Sequence, residues 1–105
     1  MLIVIIDDDQ EVASALSEML ELEGFTVAVF YNAEHALQTL NTDSPAVILS
    51  DVRMPKMDGL SLLGQIQKLD RSLPVILMSG HGDIPMAINA MEQGAHYFLE
   101  KPLDP

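Results

Sequence analysis

Short apolar runs alternate with longer segments of helical periodicity along the whole chain. Leu2–Ile6 is continuously apolar and rich in β-branched side chains, which is typical of a strand buried on both faces of a sheet. Four later short runs, mostly apolar, predict strands over Thr26–Phe30, Ala46–Ser50, Val75–Met78 and Tyr97–Glu100. The pattern therefore predicts five strands.

The segments between these strands repeat their apolar residues at helical spacing. The positions predicted to face the core are Val12, Leu16, Met19 and Leu20 in the first helix, Ala36, Leu37 and Leu40 in the second, Leu60, Leu63 and Ile66 in the third, and Ala87, Ile88 and Met91 in the fourth. Gly24 and Gly94 are placed to end helices, and Asn32 is a suitable N-cap for the second one. The fourth helix is predicted over Ile84–Gln93.

Strands that alternate with helices at this spacing predict an α/β fold with a parallel sheet covered on both faces. Ligands of such sheets bind outside the carboxyl ends of the strands. The polar residues found at those ends are Asp7, Asp8 and Asp9, then Asp51, Ser79 and Lys101. Any chemistry of this chain is therefore expected at that edge.

Length and composition limit the classes of protein to which this chain can belong. A length of 105 residues allows one domain, and 49% hydrophobic residues are enough for a core. No apolar run approaches the roughly 20 residues needed to span a bilayer. Sixteen acidic against five basic residues give a net charge of −11, which disfavours direct binding to nucleic acid. The absence of cysteine fits a cytoplasmic protein.

The acidic residues after strands one and three would bring several negative charges together if those strands are neighbours. Such a cluster is costly unless a cation joins it, and Mg²⁺ prefers carboxylates, waters and phosphate oxygens. Lys101 and Ser79 could then contact a phosphoryl group, with a carboxylate as its acceptor. Taken singly, each feature has a plainer interpretation, since an Asp triplet often caps a helix and Ser79-Gly80 could be a turn. Their joint placement at four strand ends favours the metal and phosphoryl site.

Four motifs together resemble the receiver domain of bacterial two-component response regulators. They are Asp7-Asp8, Asp51-Val52-Arg53-Met54-Pro55-Lys56-Met57-Asp58-Gly59, Ser79-Gly80-His81-Gly82 and Lys101-Pro102. The resemblance covers the whole chain. It implies a flavodoxin-like (CheY-like), doubly wound five-stranded parallel sheet with strand order 2-1-3-4-5.

The same resemblance assigns roles to individual residues. It implies that Asp51 accepts the phosphoryl group, Asp8 binds Mg²⁺ directly and Asp7 binds it through water. The backbone carbonyl of Arg53 would complete the protein ligands of Mg²⁺, and Lys101 would contact the phosphoryl group. Asp9 matches an extra acidic residue that we interpret as a charge at the helix start.

Ser79 and Phe98 match the two switch positions of the family. After phosphorylation, Ser79 would move to donate a hydrogen bond, and Phe98 could turn into the space behind it. Without the resemblance, Phe98 would be interpreted as an ordinary core aromatic residue. His81 and the Arg53 side chain lie where they could affect hydrolysis of the phosphoryl group, and a surface loop position explains His81 equally well.

The resemblance implies a phosphoacceptor switch that acts with a sensor histidine kinase and is not an enzyme with a separate substrate. Two subgroups fit: the sigma-54-dependent activators of nitrogen regulation and C4-dicarboxylate transport, which we favour, and nitrogen-fixation regulators with a helix-turn-helix output. The output domain, a sigma-54 activator ATPase or a helix-turn-helix domain, is not visible in these residues. A Mg²⁺-dependent hydrolase with an aspartyl intermediate and a phosphorylation-independent interaction module are the less favoured alternatives.

Receivers of this family continue into a fifth helix after the Lys-Pro pair. Because this chain stops at Pro105, residues 1–105 are expected to form a receiver domain that is truncated at its C-terminus and lacks its last helix. An uncovered sheet face would expose apolar side chains. We therefore expect the isolated fragment to self-associate or to be markedly unstable. A homodimer through the surface of the fourth helix, fifth strand and fifth helix would lack the part of that surface that the fifth helix supplies.

Overall fold

A computed structural model describes residues 2–39, 46–54, 57–69, 73–80 and 84–100, except for the side chain of Ile84. In chain order its elements are β1 (Leu2–Ile6), α1 (Gln10–Leu22), β2 (Thr26–Phe30), α2 (Ala33–Thr39), β3 (Ala46–Asp51), α3 (Gly59–Leu69), β4 (Val75–Ser79), α4 (Ile84–Glu92) and β5 (Tyr97–Glu100). Within those ranges the five predicted strands and four predicted helices are all present. The strands β3 and β4 each run one residue further than predicted, and α4 ends one residue earlier; Leu40 lies outside the described residues.

All five strands are parallel and form one sheet in the order β2-β1-β3-β4-β5. The predicted flavodoxin-like topology is thus confirmed. Ile6 pairs with Ser50, and Asp51 pairs with Met78. The carboxyl ends of β1, β3 and β4 are therefore level with one another, and the residues that follow them share one edge of the sheet.

The sheet separates two cores. Buried side chains of α2, α3 and α4 pack on one face, where Leu62, Leu63 and Ile66 of α3 lie against Ile48 and Leu77 of the central strands. The helix α1 packs on the other face, against a second set of buried side chains that includes Ile5, Leu49 and Met78. Both faces of the central strands are apolar, as the continuous apolar runs predicted.

The two predicted glycine stops are confirmed. Gly24 and Gly94 have φ values of 95° and 103°, in the left-handed region that a residue without Cβ adopts readily. After each glycine, a backbone N–H turns back to the helix: Phe25 donates to the Leu20 carbonyl at 3.1 Å and Ala95 to the Ala90 carbonyl at 3.0 Å. These bonds satisfy carbonyls that the last helical turn leaves without partners.

The predicted inward face of α4 is wrong in part. Ile88 and Met91 are 56% and 45% exposed, whereas Ala90 is fully buried. Met86, four residues before Ala90, packs against the same core. Because nearly every position of α4 is apolar, two helical faces fit the periodicity equally well, and only the packing distinguishes them. Ile88 and Met91 thus belong to the surface.

Candidate functional site

Three carboxylates converge at the carboxyl ends of the central strands. Asp7 and Asp8 follow β1 directly, and Asp51 is the last residue of β3. One oxygen from each lies within 4.8 Å of the other two; Asp7 and Asp51 are buried and Asp8 is exposed. The acidic residues that follow the first and third strands therefore meet, as their positions in the sequence predicted.

The turn between β1 and α1 fixes the cluster locally. The Asp9 N–H donates to Asp7 Oδ1 at 2.9 Å. Asp9 itself caps α1, because its Oδ1 accepts from the N–H groups of Glu11 and Val12 at 3.0 and 3.2 Å. These bonds satisfy donors that the first helical turn leaves unpaired and hold Asp9 at the start of α1. This geometry agrees with the interpretation of Asp9 as a charge at the helix start.

The donor set of the cluster suits a hard divalent cation. Two of its carboxylates are buried, and like charges at such a separation repel each other strongly unless a cation compensates them. Oxygens on one Mg²⁺ are about 2.9 Å apart in adjacent positions and about 4.1 Å apart in opposite ones, from metal–oxygen distances of about 2.05 Å. The observed limit of 4.8 Å is close to these values, so the three carboxylates are near enough to share one such cation.

Three further predicted site residues, Ser79, Arg53 and Phe98, are described and lie at or near the same edge. Ser79 is buried at the end of β4, the strand next to β3. Arg53 is exposed two residues after Asp51. Phe98 is half-buried on β5 and packs on the face covered by α2, α3 and α4. Lys101 and His81 lie outside the described residues.

The backbone around Asp51 has partners that the sequence did not predict. The buried Ser50 hydroxyl donates to the Asp51 carbonyl at 3.0 Å. The Gly59 N–H donates to the Val52 carbonyl at 2.7 Å. Asp58 caps α3 directly before Gly59, since its Oδ1 accepts from the Ser61 N–H at 2.8 Å.

This fold and its acidic edge agree with a comparison of the chain with family models. The model described as response regulator receiver domain matches residues 3–105, which is nearly the whole chain. The chain belongs to the response regulator receiver domain family. As a receiver domain of a two-component response regulator, it is homologous to domains of transcriptional regulators that carry output domains.

Individual relatives show which subgroup of receiver domains this chain resembles. It is 49% identical over 100 residues to the C4-dicarboxylate transport transcriptional regulatory protein DctD of Rhizobium meliloti, which covers 95% of this chain and 22% of the relative. It is 43% identical over 100 residues to the DNA-binding transcriptional regulator NtrC of Escherichia coli, with 95% and 21% covered. The predicted resemblance to the nitrogen-regulatory and C4-dicarboxylate-transport type is confirmed.

A solved structure agrees with the sequence relatives. The receiver domain of NtrX from Brucella abortus superposes with a TM-score of 0.90 at 34% identity, covering 97% of this chain and 87% of that one. The receiver spans about a fifth of the length of the curated relatives it matches. Among the helices that the structure describes, none is long and apolar enough to cross a membrane.

Proposed function

We propose that this receiver accepts a phosphoryl group at Asp51 from a phosphohistidine of a sensor histidine kinase. The observation that carries the proposal is the convergence of Asp51 with Asp7 and Asp8 at the end of the central strands. Asp51 retains 8% exposure, whereas Asp7 has none and its Oδ1 accepts the Asp9 N–H. Asp51 is therefore the buried carboxylate of the cluster that a phosphoryl donor can still reach.

Mg²⁺ would be held by Asp8 and Asp51 directly, by Asp7 through water and by the Arg53 backbone carbonyl. When bound, Mg²⁺ supplies positive charge for the phosphoryl oxygens. In the transfer, an Asp51 carboxylate oxygen forms a bond to phosphorus while the phosphorus–nitrogen bond of phosphohistidine breaks. The electron pair of that bond stays on the imidazole nitrogen. Lys101 is the proposed cation that contacts the transferred group.

Ser79 and Phe98 form the proposed switch. The acyl phosphate adds charge and acceptor oxygens at Asp51, and the Ser79 hydroxyl at the end of the neighbouring strand is a suitable donor to them. Phe98 packs on the same sheet face as α4. A shift of Ser79 toward Asp51 would leave room for Phe98 to turn inward and change the surface formed by α4 and β5.

This surface is the proposed output of the switch. The exposed apolar side chains of Ile88, Met91 and Tyr97 lie on α4 and β5, and they support a homodimer or contact with an output domain in a longer protein. The output domain would be a sigma-54 activator ATPase or a helix-turn-helix domain that controls transcription. Light scattering of wild type and Ile88→Asp tests the homodimer; a wild-type chain that stays monomeric at every concentration, with and without beryllofluoride, would contradict it.

Phosphorylation at Asp51 is tested with acetyl phosphate, a small phosphoryl donor, and intact-mass spectrometry with and without Mg²⁺. We expect one phosphoryl group on the wild type only when Mg²⁺ is present, and none on Asp51→Asn. Asp58→Asn is the matched control, since asparagine keeps the oxygen that accepts the Ser61 N–H and Asp58 lies outside the cluster. An adduct on Asp51→Asn, or equal labelling without Mg²⁺, would overturn the proposal. Continuous turnover of phosphate esters above about 1 s⁻¹ would instead indicate a hydrolase.

A further inference from the structure

The helix α3 begins in direct contact with the backbone of the proposed phosphoacceptor. A Cβ added at Gly59 would lie 2.8 Å from the Asp51 carbonyl oxygen, 2.8 Å from the Val52 Cα and 3.2 Å from the Leu77 Cδ2. Gly59 is not among the glycines with positive φ, so its backbone conformation is open to other residues. Glycine is required at this position for space.

Three hydrogen bonds hold the backbone that this contact supports. The Ser50 hydroxyl donates to the Asp51 carbonyl at 3.0 Å, and both residues are buried. The Val52 N–H donates to the Met78 carbonyl at 2.8 Å, and the Gly59 N–H donates to the Val52 carbonyl at 2.7 Å. The Gly59 N–H is one of the donors that a first helical turn leaves unpaired, so the start of α3 is joined to the end of β3.

We infer that Gly59 and Ser50 are positioning residues for phosphoryl acceptance at Asp51, an inference that rests on the proposed function. Neither residue would touch the phosphoryl group. Both act on the carbonyl of Asp51, Ser50 by the hydrogen bond of its hydroxyl and Gly59 by the absence of a side chain. The carboxylate on the same residue is thereby held in register with those of Asp7 and Asp8.

The expected loss of labelling rate at Asp51 follows from the contact distances at Gly59. Ordinary van der Waals contact begins at 3.4 Å, so an alanine at position 59 must displace the Asp51–Val52 backbone or α3 by about 0.6 Å. A misplacement of about 1 Å in a reacting geometry can cost about a hundredfold in rate. We therefore expect Gly59→Ala to slow labelling of Asp51 by acetyl phosphate about tenfold at saturating Mg²⁺. Ser50→Ala removes one hydrogen bond without a clash, and the expected loss is about threefold.

The test distinguishes a role in positioning Asp51 from a general loss of folding stability. Labelling rates are measured at saturating Mg²⁺ on variants whose circular dichroism matches that of the folded wild type, and urea unfolding is measured in parallel. Leu63→Ala is the control for stability, because it empties a buried site of α3. Gly64→Ala is the control for a glycine substitution in the same helix, because nothing lies within 4 Å of its added Cβ. Both controls should keep the wild-type rate within twofold.

Two results would overturn the inference: a wild-type rate in Gly59→Ala, or an equal loss of rate in Leu63→Ala. If Gly59→Ala does not fold, Ser50→Ala decides, and a wild-type rate there refutes the inference. A wild-type chain that takes up no phosphoryl group would refute the proposed function instead. The Mg²⁺ dissociation constant, measured by titration, then still tests the positioning role, and it should rise severalfold in Gly59→Ala and stay unchanged in Gly64→Ala.

Discussion

Replacing Asp7 with asparagine measures the electrostatic repulsion inside the acidic cluster. Asparagine keeps an oxygen that can accept the Asp9 N–H and removes one buried negative charge. At 4.8 Å, the largest separation of the cluster oxygens, two unit charges repel by about 0.9 kcal/mol at the dielectric constant of water and by about 3.5 kcal/mol at an effective value of about 20. Because Asp7 and Asp51 are both buried, we expect Asp7→Asn to raise the free energy of unfolding of the metal-free protein by about 1–3 kcal/mol.

Added Mg²⁺ should stabilise the wild type more than Asp7→Asn and so narrow this difference in the free energy of unfolding. A cation that binds only the folded state at 100 times its dissociation constant stabilises it by about 2.7 kcal/mol, and a tenfold weaker site gains only about 1.4 kcal/mol at the same concentration. Urea unfolding in EDTA and in Mg²⁺ measures both effects. Asp9→Asn is the matched control, because asparagine caps a helix as well as aspartate does and Asp9 lies outside the cluster. A variant that is no more stable than wild type in EDTA and gains as much from Mg²⁺ would refute the electrostatic account.

Four further substitutions test the packing and the helix ends, each by urea unfolding. Leu63→Ala in the core should cost about 2–5 kcal/mol, whereas Leu69→Ala, on the exposed end of the same helix, should cost less than about 1 kcal/mol; similar losses would contradict the described burial. Asn32→Ala removes the acceptor of the His35 N–H, a 2.7 Å bond, and should cost about 0.5–2 kcal/mol, so an unchanged midpoint would exclude a capping role. Gly24→Ala, at positive φ, should destabilise by about 1 kcal/mol, and the opposite sign would contradict that backbone conformation.

Much of the fold could be predicted from local patterns. The continuous apolar run Leu2–Ile6 indicated a strand buried on both faces, and the positions of Gly24 and Gly94 indicated where helices end, because only a few residue types tolerate those backbone conformations. The face of α4 could not be predicted in the same way. Ile88 and Met91 are as apolar as Met86 and Ala90, so the sequence alone could not determine which pair is buried.

The sequence likewise indicated some residues of the site and not others. Asp7, Asp8 and Asp51 stand out in the sequence because a carboxylate directly after an apolar strand is costly to bury without a role. The contacts of Ser50 and Gly59 with the Asp51 carbonyl left no such signal. A serine inside a strand and a glycine after aspartate are common, and what they contact depends on how closely α3 approaches β3.

By itself, the sequence determined the order and type of the elements and which carboxylates end the strands, since these follow from local periodicity and the chemistry of single residues. The tertiary structure decided how close those carboxylates come to one another, which side of α4 is exposed and what holds the Asp51 backbone. Those properties depend on distances between segments far apart in the chain. Such distances are fixed only when the parallel strands pair in register and the helices pack against them.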